Sequence, residues 1–287
     1  LKKTTIQFFL KRIFDLFILR PLSKDEFDNF FSPKAIKVIQ YFLNTAIFSQ
    51  PEVREDKKSL PLQIPKEHLE QWFVQALQVE SVGAGSYPID ILKSNEWGAD
   101  VKMLSCKVDK KGNLTKGDSG ETSLAQKFKD TGVSLDTMFK NRQFSEIIEG
   151  WIDILRNKLN SVLKEQNIDK IYYFFFLRGG DRESYLSAFE VDISKINTDV
   201  VTQRDSDETI DKSIFLNGFI DPKYGNAKIY KAKKRLELRL KPLGLFEDSF
   251  LIPLETKEPV KGDIFEIIDD EVKLEKHLEN KIKGIYG

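Results

Sequence analysis

The 287-residue sequence predicts an α/β fold: a mixed β-sheet flanked by helices, with extra N-terminal helices and a C-terminal α+β segment. Three observations carry that expectation. Residues 171–177, Ile-Tyr-Tyr-Phe-Phe-Phe-Leu, are apolar without alternation, as in a strand buried on both faces. Residues 144–166, just before them, read as one long helix. Residues 88–92 and 99–106 read as two short strands, separated by the turn-like Lys93-Ser94-Asn95-Glu96-Trp97-Gly98.

The elements follow in order. Residues 1–55 read as helical, beginning with Ile6, Phe9, Leu10, Ile13, Phe14 and Phe17 at helical spacing. Lys11, Arg12 and Asp15 interrupt the apolar run, and no small-residue cleavage site follows it. An amphipathic helix is therefore expected there, not a signal peptide or membrane span. Ser32-Pro33 supplies an N-cap and a first-turn proline for a second helix to about residue 49. A polar, proline-bounded stretch, 51–65, separates this region from the next.

From Pro65 a helix is expected to about Glu80, closed by the turn Gly83-Ala84-Gly85-Ser86-Tyr87. Residues 107–120, rich in Lys, Gly and Asp, read as a loop or hairpin. After the aromatic strand, Arg178-Gly179-Gly180-Asp181 turns the chain into a partner strand over 184–193. The last third should alternate short strands and end in a charged helix over 271–283. The expected segments are thus 1–55 (helical, for dimerisation or DNA contact), 56–65 (linker), 66–193 (core) and 194–287 (C-terminal segment).

Composition narrows the classes. Apolar residues make up 40% and charged residues 31%, an ordinary globular balance. The formal net charge is zero, so any anionic partner must meet a local basic face. One cysteine, Cys106, excludes an intramolecular disulfide and fits a reducing cytoplasm. With only His68 and His277 besides, a Cys/His zinc site is disfavoured. Gly83-Ala84-Gly85 lacks the third glycine of a dinucleotide site.

The chemistry concentrates in Pro88-Ile89-Asp90 and Asp100-Val101-Lys102. Side chains two apart on a strand share a face, so Asp100 and Lys102 project together. Asp90, on the preceding strand, can sit beside Asp100. Two neighbouring carboxylates repel unless a cation lies between them, and hard oxygen donors suit magnesium. An adjacent lysine can orient water and stabilise phosphate charge. Leu69, Trp72, Phe73, Ala76 and Leu77 form an apolar stripe whose spacing extends to Glu80, which is therefore expected to face the core near the same site.

These residues resemble the PD-(D/E)XK nuclease superfamily, and type II restriction endonucleases in particular. Asp100-Val101-Lys102 matches the acid-x-lysine pattern unchanged; Ile89 separates Pro88 from Asp90, where the pattern often has Pro directly before Asp. The resemblance covers about residues 66–193. It implies a restriction-endonuclease-like core, with magnesium held by Asp90, Asp100, the Val101 carbonyl and Glu80. It also implies that Lys102 positions the attacking water, and that DNA is cut to a 5′-phosphate and 3′-hydroxyl. Asp109-Lys110-Lys111 and Glu271-Val272-Lys273 show how common the short pattern is alone.

Residues 221–241 hold eight Lys or Arg against two acids. Lys228, Lys231, Lys233, Lys234, Arg235 and Arg239 are thus the candidates for contact with double-stranded DNA. Arg178 and Arg182 are a second candidate group, with an exposed hairpin loop as the alternative. The acidic stretch 199–211 reads as a solvated loop. A double-strand cut at a palindromic site would favour a homodimer. A repair or RNA-processing nuclease of the same fold, and a non-catalytic nucleic-acid-binding protein, stay open.

Overall fold

The computed structural model describes residues 16–58, 62–82, 87–126, 128, 133–179, 183–204 and 211–287. Of the amphipathic helix expected over residues 1–20, residues 1–15 lie outside the described ones. The described chain opens with β1 (Leu19–Pro21), where a helical reading had been expected. Leu19 to Pro21 instead pair antiparallel with a later strand, through residues 189–191. Next come α1 (Lys24–Phe30) and α2 (Pro33–Phe48). Ser23 and Glu26 form a capping box for α1, and Ser32 with Pro33 starts α2 as the sequence predicts.

The next helix, α3 (Lys66–Leu77), stops sooner than its apolar stripe suggests. Gln78 takes left-handed backbone angles at φ 54° and breaks the helical phase. β2 (Glu80–Ser81), β3 (Ile91–Lys93) and β4 (Trp97–Ser105) follow as an antiparallel set. Then come β5 (Glu121–Gln126), the short α4 (Leu135–Lys140) and the 23-residue α5 (Phe144–Gln166). The aromatic run is β6 (Lys170–Arg178), and its hairpin partner is β7 (Glu183–Val191). The remainder is β8 (Thr202–Gln203), β9 (Ser213–Asn217), β10 (Gly225–Tyr230), β11 (Arg235–Leu240), α6 (Pro242–Glu247), β12 (Ile252–Glu255) and α7 (Glu271–Tyr286).

The strands form two sheets. The first is mixed, in the order β1-β7-β6-β4-β3-β2, with β12 also on β7. Its parallel pair is β4 with β6, connected by a crossover that contains α5. The second sheet is antiparallel, in the order β5-β11-β10-β9-β8. The sheets therefore draw on several stretches of chain: β1 and β12 join the first, and β5 joins the second.

Strand alternation divides the interior. Tyr173, Phe175 and Leu177 pack with α5 and the apolar face of the second sheet. Tyr172, Phe174 and Phe176 pack on the opposite side with α1, α2 and α3. Residues 171–177 are all at most 5% exposed, which explains an apolar run without alternation. β4 follows the same rule. Ala99 and Val101 face α3, while Leu104 lies on the α5 side, the face that Asp100 and Lys102 share with it. Among the described residues, no helix is long and apolar enough to cross a membrane.

Candidate active site

The site forms where, among the described residues, β4 has no neighbouring strand along part of one edge. β3 covers that edge as far as Ala99, whose carbonyl accepts the Asp90 N–H at 2.9 Å. Further along, the Gly120 N–H reaches the Ser105 carbonyl at 2.8 Å. In the gap between them the Val101 N–H donates to Asp90 Oδ2 at 2.7 Å. A strand residue directs its N–H and C=O to the same edge, so the Val101 carbonyl also points into this gap.

Asp100 and Lys102 emerge together on the α5 side, as their spacing predicts. Lys102 Nζ lies 2.6 Å from Asp100 Oδ2, and both side chains are nearly buried. Burial pushes the Asp100 carboxyl above its ordinary range; Lys102 opposes that shift and Asp90 adds to it. Lys102 also lies 5.5 Å from the centre of the Tyr173 ring.

The helix contributes a different glutamate from the one the sequence suggested. Glu80 is exposed on β2 and accepts a hydrogen bond from Ser94 Oγ at 2.8 Å, so it does not face the core. The left-handed Gln78 ends the helix before the stripe reaches it. Glu70, on α3 itself, is buried instead. Lys66 Nζ bridges Glu70 Oε1 at 3.0 Å and Asp90 Oδ1 at 3.2 Å. Burial alone would lower the Lys66 pKa, but its hydrogen bonds and attraction to the two acids outweigh that and raise it.

A second lysine completes the group. Lys158 lies on α5, three residues after Leu155 and seven after Trp151, half-buried on the side of the helix that carries them. Its Nζ donates to the Leu124 carbonyl at 3.1 Å. Lys102 Nζ approaches the neighbouring Ser123 carbonyl at 3.5 Å. Burial lowers the Lys158 pKa, with Asp100 opposing and Lys102 reinforcing. Both Glu70 and Lys158 had a sequence signal: a charged residue on the flank of an apolar helical stripe, or within one.

The donor set suits a hard cation: two carboxylates and a backbone carbonyl around one gap, with a lysine ammonium already bridging Asp90 to Glu70. Among the described residues, no three His, Cys, Asp or Glu side chains form a metal-holding group by themselves. The carbonyl and solvent or phosphate oxygens would have to complete a shell. Cys106 offers no nucleophile, because burial pushes its thiol up to about 12.

The basic residues of the C-terminal segment are placed differently from the expectation. Lys228 and Arg239 lie on the polar face of the second sheet and Lys233 in the β10–β11 turn, where acids engage them. Arg239 pairs with Glu121 at 2.7 Å, Lys233 pairs with the same glutamate, and Lys228 lies 3.9 Å from Glu237. Lys231 reaches Asp136 at 3.8 Å. Cross-strand register brings these charges and their acid partners together. Lys234 and Arg235 lie at the β10–β11 turn, where Lys234 takes φ 47°. Arg178 is tied to the Leu62 carbonyl at 2.5 Å and Ser105 Oγ at 2.6 Å, holding strand ends together. Arg182 lies outside the described residues.

No family model matches the chain, and neither a curated protein nor a solved structure matches it.

Proposed function

We propose that this chain is a magnesium-dependent endonuclease with a restriction-endonuclease-like core, acting on double-stranded DNA. One observation carries the reading: Asp90, Asp100, Lys102 and the helix-borne Glu70 converge at a gap in the sheet edge. The element order supports it, since α3, β2, β3, β4, α5 and β6 run consecutively through the first sheet, apart from the excursion of β5 and α4.

Asp90, Asp100 and the Val101 carbonyl would hold magnesium, with Glu70 in reserve through Lys66; Glu80 has no part in it. When bound, the ion supplies Lewis-acid polarisation of the scissile phosphate. The Val101 N–H fixes the Asp90 carboxylate, so this donor is oriented before substrate arrives. Lys102, a cation held by Asp100, orients the attacking water and stabilises charge on the phosphate oxygens. In the hydrolysis a water oxygen bonds to phosphorus as the P–O3′ bond breaks. The proton the water loses balances the one the 3′ oxygen takes up. Two such sites related by a two-fold axis would match a palindromic target and cut both strands, so a homodimer belongs to the proposal.

The test is incubation of the protein with a large unmodified DNA, in magnesium or in EDTA, beside Lys102→Ala. Magnesium-dependent discrete fragments that vanish in the variant support a site-specific enzyme. A smear moves the reading to a general nuclease, and intact DNA with both unmodified and methylated substrates removes it.

A further inference from the structure

The six charged groups at the site are not equivalent. Lys66 is held by Glu70 and Asp90, and Lys102 by Asp100. Lys158, half-buried on α5 between the buried Leu155 and Leu159, forms no ion pair within 4.0 Å among the described residues. Placing an ammonium on an apolar helix face is costly unless a compensating anion is at hand. Here the nearest fixed partner is a neutral carbonyl, that of Leu124 at 3.1 Å.

An ammonium has three donors, and the Leu124 carbonyl uses one. The adjacent carbonyl of β5, Ser123, is approached by Lys102. Consecutive carbonyls of β5 thus lie next to the two ammonium groups, of which Lys102 is also paired with Asp100. The three acids Glu70, Asp90 and Asp100 balance the three lysines, leaving no excess positive charge from side chains alone. Lys158 keeps two donors for an incoming anion, where Lys66 and Lys102, each with two partners, keep one apiece.

We propose that Lys158 is a second catalytic lysine, which donates to a non-bridging oxygen of the scissile phosphodiester while Lys102 serves the attacking water. This rests on the nuclease reading above. A group that meets charge developing on phosphorus acts on the chemical step more than on DNA affinity.

The experiment compares wild type, Lys158→Met and Lys158→Arg in single-turnover cleavage at saturating DNA and magnesium. DNA affinity in EDTA and thermal unfolding are measured in parallel. Lys158→Met should lower the cleavage rate by about 100-fold, the usual cost of one transition-state donor, with DNA affinity unchanged. Lys158→Arg should recover a substantial part of the rate, because it restores a donor cation. A stereospecific phosphorothioate at the scissile position gives a readout free of folding effects. Wild type should lose rate with one diastereomer, and Lys158→Arg should alter that preference. If Lys158→Met cleaves like wild type, or Lys158→Arg fails as completely as Met while both stay folded, the role is overturned and the nuclease reading stands. If Lys158→Met does not fold, equal wild-type rates with both diastereomers overturn the role by themselves. If wild type cleaves nothing, the nuclease reading falls and this role falls with it.

Discussion

The Asp90 carboxylate accepts the Val101 backbone N–H at 2.7 Å, filling the strand edge where β3 has ended. The same side chain is therefore a proposed metal ligand and a substitute for a missing strand. Asp90→Ala should leave a buried N–H unpaired and cost about 1–3 kcal/mol. Asp90→Asn keeps an acceptor and should retain most of that stability. Denaturant unfolding in EDTA separates the two; equal midpoints for Ala and Asn would mean the bond contributes nothing. Both variants should lose magnesium-dependent cleavage.

Glu70 and Glu80 make opposite predictions. Glu70 is buried and linked to Asp90 through Lys66, while Glu80 is exposed and bonded to Ser94. Glu70→Gln should reduce cleavage by at least about tenfold, the scale of a perturbed ligand or its support. Glu80→Ala should cleave like wild type. The reverse pattern in a plasmid-cleavage assay would restore the glutamate suggested by the apolar stripe.

Lys66 competes with any divalent cation for the same carboxylates. Lys66→Met should unfold at a lower temperature than wild type in EDTA, by an amount near 1 kcal/mol because the lysine head is well solvated. It should gain more than wild type from added magnesium, since the ion no longer displaces an ammonium. Thermal shift with and without magnesium reads both effects, and an identical magnesium response in the two proteins would exclude the competition.

Far from the site, Arg20 pairs with Glu26 and Glu190, and Lys170 pairs with Glu190 at 3.0 Å. Burial alone would raise the Glu190 carboxyl, but hydrogen bonds from Lys170 and Arg20 hold it below the ordinary range. The unfolded chain therefore binds the proton more readily. This contribution is present above the unfolded carboxylate pKa and is lost as pH falls through the folded one. Glu190→Gln should be less stable than wild type at neutral pH, with the difference shrinking in acid. Denaturant midpoints from neutral pH down to about 3, below the reference glutamate value, test this, and a constant gap across the range would rule it out.

Arg178 should behave as a structural residue. It holds the Leu62 carbonyl and Ser105 Oγ, and its remaining buried nitrogen, Nε, has no hydrogen-bond partner among the described residues. Arg178→Ala should destabilise the fold by roughly 1–3 kcal/mol and leave the salt dependence of DNA binding unchanged. A flatter salt slope without loss of stability would return Arg178 to the DNA face.

Local pattern in the sequence determined the elements with strong periodicity or chemistry: α2 with its Ser32-Pro33 start, α5, the aromatic β6, and Asp100 beside Lys102 on one strand face. Such features depend on residues a few positions apart, and their rules are short-ranged. What only the tertiary structure decided is which distant residues meet. Gln78 ended α3 one turn early, so Glu80 turned outward and Glu70 took the interior place. Cross-strand register put Glu121 and Glu237 beside Lys228, Lys233 and Arg239, so these three members of the basic stretch are engaged by acids. Lys158, 56 residues after Lys102, reached the site because its helix crosses over the same sheet face, a relation no local spacing encodes.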